Sequence, residues 1–252
     1  MSEEILKALT QLFAIVTRQD GGVSEKEREY VINFFKTELD QDSILQYIRQ
    51  YDEQSGYGKE TTDAVKITSV KESIRILGIC KKINKTLTQK QKVVVLVKLI
   101  ELVSAEKNFS PHRMEIIYTV STIFNIYHEE YRLIESFVLA DSVSSLSFPE
   151  ILIADNDPSR GEGLACKHIR LQLEGFLAFL QLKGVDMYFV KYQGSELTLL
   201  NGFTMKTGHV YLFPHGSTIK TQSGDAIYYS DLVADFNEEI KTTKLSFNAR
   251  ID

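Results

Sequence analysis

The hydrophobic period of the chain changes near residue 140, and that change limits the possible folds more than any other feature. Before it, apolar residues recur every three or four positions: Ile5, Leu9, Leu12, Phe13 and Val16 share one face of a first helix. After it, from Ser142, short runs alternate with period two and are rich in β-branched and aromatic residues. A chain of 252 residues with such a break accommodates two domains. The sequence therefore reads as an α+β multidomain protein. An all-α bundle of about seven helices spans 1–140, a linker with Pro149 spans 141–150, and an all-β antiparallel sandwich spans 151–252.

Capping chemistry places the helices. Asp20, Gly21 and Gly22 stop the first, and Ser24-x-x-Glu27 forms a capping box that opens the second, whose buried stripe is Val31, Phe34 and Phe35. A third spans about 43–53, and the polar stretch Asp52 to Asp63 reads as a loop. Ser69-x-x-Glu72 opens a fourth helix with Val70, Ile74, Leu77 and Cys80 expected on its buried side. Thr88-x-x-Gln91 opens a fifth that is apolar on most faces from Val93 to Val103, as the central helix of a bundle is. Ser110 before Pro111 is an N-cap with proline at the first helical position, opening a helix to about Phe124. A last one runs from His128 to near Leu139.

In the second half the expected strands are Ile151 to Ala154, His168 to Leu173, Phe176 to Leu182, Asp186 to Tyr192, Glu196 to Leu200, His209 to Phe213, Ala226 to Ser230 and Lys244 to Arg250. Gly194-Ser195, Asn201-Gly202, Gly216-Ser217 and Ser223-Gly224 mark turns between them. The last strand has no following partner, so the polypeptide is expected to be a fragment that continues into another domain.

The first half repeats itself. Placing Ser24 on Ser110 puts Phe13 on Leu99, Val16 on Leu102, Asp20 on Glu106, Val23 on Phe109, Glu27 on Arg113 and Val31 on Ile117. A duplicated helical hairpin packs with pseudo-twofold symmetry, which brings the two acidic loops to one end of the bundle.

The pattern Asp20-Gly21-x-Val23-Ser24-x-x-Glu27, repeated as Glu106-x-x-Phe109-Ser110, resembles the tellurite-resistance TerB-like helical domain. The resemblance implies divalent metal held by an acidic residue and a glutamate seven positions on in each half. Asp20 and Glu27 match the first pair. In the second only Glu106 matches, since Arg113 stands at the other position. A longer resemblance runs through Gly78 to Lys85, Leu87 to Lys92, Tyr188-Phe189, Leu200-Asn201-Gly202, Val210 to Phe213 and Ile227 to Asp231. It is to the N-terminal cytosolic region of a group of bacterial ABC transporters, where a TerB-like domain and a small forkhead-associated-like β domain precede the nucleotide-binding domain. That implies a regulatory, non-enzymatic module whose partners are the downstream nucleotide-binding and membrane domains of its own chain, with other proteins as further partners.

The residues themselves restrict the chemistry. Hydrophobic residues make up 43% and charged residues 25%, which excludes a disordered or fibrous chain, and the apolar run Val93 to Val97 is far short of a membrane span. No charged-then-apolar signal segment opens the chain and the cysteines are only Cys80 and Cys166, so a cytoplasmic setting with reduced thiols is expected. A net charge of -5 disfavours nucleic acid as a partner. Around Gly58-Lys59, Glu53 replaces the first glycine of a phosphate loop and Glu60 its hydroxyl residue, so no ATPase is expected within these residues. No cofactor is expected beyond a weak divalent cation on Asp20 and Glu27, with Glu106 a more distant candidate ligand. Lys81, Lys82 and Lys85 read either as a helix C-terminal cap or as a docking face for an anionic partner, lipid headgroups included. Cys166 and His168 invite a nucleophile and base assignment without a visible orienting residue, and Arg160 and His168 lie in the region where a phosphothreonine reader carries its arginine and histidine, without the spacing of that motif. The competing function is a free-standing cation-binding stress protein.

Overall fold

A computed structural model of the chain describes residues 2–19, 22–58, 69–106, 110–158 and 165–237, with the backbone alone at 69–72 and 106. The chain divides into two compact units, Met1–Leu139 and Ala140–Asp252.

The first unit holds seven helices among the described residues: α1 (Glu3–Thr17), α2 (Glu25–Glu38), α3 (Gln41–Ser55), α4 (Ser69–Thr86), α5 (Gln89–Glu106), α6 (Pro111–Ile123) and α7 (His128–Leu139). Helix α5 is central and lies against α1, α2, α6 and α7. Val93, Val95, Leu96, Val97, Leu99, Ile100, Leu102 and Val103 are all buried along it, which is why its sequence is apolar nearly all round. Its start carries the Thr88–Gln91 box: Gln91 Oε1 accepts from the Thr88 amide at 2.8 Å and Thr88 Oγ1 from the Gln91 amide at 3.4 Å. Against it α1 contributes Leu9, Leu12, Phe13 and Val16, each at most 1% exposed.

Two helical expectations need correction. Helix α3 is longer than its apolar residues indicated, because Asp40 caps it through the Ser43 amide at 3.0 Å and it ends only at Gly56, whose φ of 78° closes the C-terminus. Asp52 is therefore helical, and its carboxylate takes two bonds of 2.9 Å from the Arg28 guanidinium. The remainder of the expected loop, 59–63, lies outside the described residues. Helix α4 faces the core with a different stripe from the one expected. Ile76, Cys80 and Ile83 are buried on the side toward α1 and α6, whereas Ile74 and Leu77 are 63% and 41% exposed.

The second unit opens with a 3-10 turn at Val143–Ser145. Its strands are β1 (Ile151–Asp155), β2 (Lys167–Arg170), β3 (Phe176–Leu182), β4 (Met187–Gln193), β5 (Leu199–Leu200), β6 (Phe203–Thr204), β7 (Val210–Leu212), β8 (Thr218–Lys220) and β9 (Ala226–Tyr228), followed by helix α8 (Tyr229–Asn237). One sheet has the order β2-β1-β3-β4-β7 and the other β6-β5-β8-β9. Residues from both, including Leu152, Phe179, Val190 and Phe213 from or beside the first and Ile219 and Ile227 from the second, form one core that Leu232 and Phe236 of α8 complete.

The first sheet is mixed and not wholly antiparallel, since β1 and β2 pair in parallel with Ile153 opposite His168. The expected strand Ala226 to Ser230 is cut at Tyr228, because Tyr229, Leu232, Val233 and Phe236 recur at helical spacing and carry the chain into α8. The expected strand Lys244 to Arg250 lies outside the described residues.

Candidate functional site

The two repeated hairpins meet through the first turns of α2 and α6. Ser24 caps α2: its Oγ accepts from the Glu27 amide at 3.2 Å, and Glu27 Oε2 accepts from the Ser24 amide at 3.0 Å. Ser110 caps α6 in the same way, its Oγ accepting from the Arg113 amide at 3.2 Å. Glu27 and Arg113 thus hold equivalent third positions in the first turns of the two helices.

Those equivalent side chains bond to each other. Arg113 Nη1 donates to Glu27 Oε1 at 2.5 Å, with side-chain exposures of 1% and 0%. Arg113 Nη2 donates to the carbonyls of Gln19 at 3.0 Å, Thr17 at 3.4 Å and Gly22 at 3.5 Å. The guanidinium therefore sits at the C-terminal end of α1, where orphan carbonyls and the helix dipole favour positive charge. It answers the Glu27 carboxylate at the same time. A charge this deeply buried is tolerable only when paired and hydrogen-bonded, and both conditions hold for each partner.

At positions 27 and 113 this arrangement leaves a divalent cation no unengaged carboxylate oxygen. One oxygen of Glu27 accepts from Arg113 and the other caps α2, and the second hairpin supplies a fixed cation where the first supplies an anion. Asp20 and the side chain of Glu106 lie outside the described residues, so Glu27 is the one metal candidate whose surroundings are visible.

The family model for tellurite resistance protein TerB matches residues 6–136, just over half of the chain and nearly all of its first unit. This chain belongs to the TerB family. No curated protein and no solved structure matches it.

The TerB unit carries its other candidates on α4. Lys81, Lys82 and Lys85 are all exposed near the C-terminus of that helix. They share their helix with the exposed Ile74 and Leu77. A polar contact that sequence reasoning missed links α2 to α5: Glu101, 5% exposed, accepts from Tyr30 Oη at 3.2 Å and from Lys98 Nζ at 2.6 Å. Burial, with the Glu101 carboxylate beside it, pushes the Tyr30 phenol well above its ordinary range. No residue pattern flagged this contact, because Tyr30 and Glu101 are 71 positions apart.

In the second unit the orienting residue absent from the sequence reading is present. Asp155 closes β1, and its Oδ1 lies 3.0 Å from His168 Nε2 on the parallel neighbour β2. The same oxygen accepts from the Asp157 amide at 3.0 Å, so the carboxylate also shapes the turn that leaves β1. Cys166 is buried just before β2, 7% exposed. A nucleophilic thiol needs an accessible, electropositive setting, and this burial argues for a packing role. Lys167, between the two, donates to the carbonyls of Asp235 and Phe236 at 2.9 and 2.8 Å and caps the end of α8. Arg160 lies outside the described residues. Among the described residues no helix is long and apolar enough to cross a membrane.

Proposed function

We propose that this TerB-family chain is a non-enzymatic, cytosolic docking and regulatory module, the front end of a longer bacterial ABC transporter polypeptide. In this reading the β unit is a forkhead-associated-like sandwich, and the partners are the nucleotide-binding and membrane domains that follow in the same chain. The observation that favours it over the alternative is the Arg113–Glu27 pair. It engages Glu27, one of the carboxylates that the alternative reading, a divalent-cation stress protein, relies on. A bundle locked by its own guanidinium serves as a rigid scaffold whose outer faces do the work.

Two measurements test this. Reading the gene onward from the codon for Asp252 should reveal a continuing frame with a phosphate loop; a stop codon at that point overturns the transporter part. Calorimetry of the chain with calcium and with magnesium should give no saturable heat, unchanged by Asp20→Asn. Saturable binding that Asp20→Asn and Glu27→Gln both abolish would instead establish the cation-binding reading.

A further inference from the structure

The charge of this chain is unevenly distributed. Between Ser73 and Lys92 stand Arg75, Lys81, Lys82, Lys85, Lys90 and Lys92 without a single aspartate or glutamate, although the whole chain carries a net charge of -5. Most of that stretch is α4. Helix α4 buries Ile76, Cys80 and Ile83, so the opposite face is fixed by geometry at 100° per residue. That face presents Ile74, Leu77, Gly78, Lys81 and Lys85, with Lys82 on its flank, and every one of them is exposed.

Two large aliphatic side chains in solvent would be ordinary if scattered. Here they sit one turn from each other and one to three turns from three lysines. Water solvates the lysines but not the aliphatic pair. A purely ionic partner would likewise leave Ile74 and Leu77 unsatisfied, and a purely apolar one would strand the ammonium groups. An anionic membrane surface suits both, because its headgroups attract the cations while the acyl boundary receives aliphatic side chains, and lysine stems are long enough to reach back to the headgroups.

We infer that the α4 face formed by Ile74, Leu77, Lys81, Lys82 and Lys85 is a lipid-docking surface that lays the TerB bundle on an anionic membrane. The inference rests on the docking-module reading for its purpose, though not for its chemistry. Each lysine near such a surface raises partitioning about fivefold, so the three together contribute on the order of a hundredfold.

The test is co-sedimentation of the full chain with phosphatidylcholine vesicles, with and without phosphatidylserine. The expected result is binding to the phosphatidylserine vesicles alone, diminished by added salt. Lys81→Glu with Lys82→Glu and Lys85→Glu should reduce it to the phosphatidylcholine level, whereas arginine at the three positions should preserve it. Ile74→Ser with Leu77→Ser should weaken it at least about tenfold at constant salt. Because all five side chains are exposed, unchanged far-ultraviolet circular dichroism is expected for each variant. Failure of the wild type to sediment overturns the inference. So does equal retention on immobilised duplex DNA or heparin that ignores the Ile74 and Leu77 changes, since that behaviour belongs to a general polyanion site. Either failure leaves the transporter front-end reading intact, because that reading stands or falls on the reading frame beyond Asp252.

Discussion

Arg113 is among the largest fully buried side chains in the molecule, and its removal has a calculable consequence. Arg113→Met should leave the Glu27 carboxylate buried without its cation and cost about 3–5 kcal/mol in urea unfolding. Glu27→Gln should cost less, because glutamine still caps α2 and the guanidinium keeps its three carbonyls. Combining the two should recover part of the loss, and strict additivity would mean that the pair does not interact. Glu130, on α7, offers a second test. Burial raises its carboxyl above the ordinary 4.5, so the native state holds a proton more tightly than the unfolded chain does. The resulting stability is full below pH 4.5 and is lost as pH rises through the raised value. Glu130→Gln should therefore raise Tm slightly near pH 7 and leave it unchanged below about pH 4, a difference that melting curves at the two pH values can resolve.

At the scale of elements, the helices were legible because caps and apolar stripes coincide. Ser24, Ser110 and Thr88 each begin a helix as their neighbours in sequence indicated. The stripe of α4 was misread because apolar residues occupy two of its faces, and spacing cannot tell which one a bundle will cover. Strand direction was illegible for a similar reason: alternation gives the faces of β1 and β2 but not their parallel sense, and with that sense the Asp155–His168 contact was lost. Strand β8 is three residues between two turn signals, too short to establish a period. The turns themselves make a clear prediction. Gly202, at φ 86° with open space around it, should tolerate alanine at about 1–2 kcal/mol of left-handed strain. Gly175, at φ 94°, immediately precedes β3 with its backbone pressed against the carbonyl of Gln193, the last residue of β4, and an added methyl would collide there. Gly175→Ala should cost clearly more than Gly202→Ala in denaturant unfolding, and equal costs would refute the close approach.

For the whole molecule, each unit has its own buried core, so residues 1–139 expressed alone should give a helical spectrum and a cooperative melt. A non-cooperative transition would show that the units depend on each other to fold. The candidate site was half legible at this scale. The repeat showed that position 113 breaks the acidic pattern, but not that the symmetry which aligns Glu27 with Arg113 also brings them into contact. That contact has a consequence in time. Glu27 leaves the ribosome 86 residues ahead of Arg113, and at about 5–20 residues per second the interval is roughly 4–17 s. During it the nascent α1–α2 hairpin carries a carboxylate that cannot enter a dry interior unaccompanied, which keeps that end of the hairpin open to water. The buried end of the first hairpin is thus completed by a cation that only the second copy of the repeat supplies, after both have emerged.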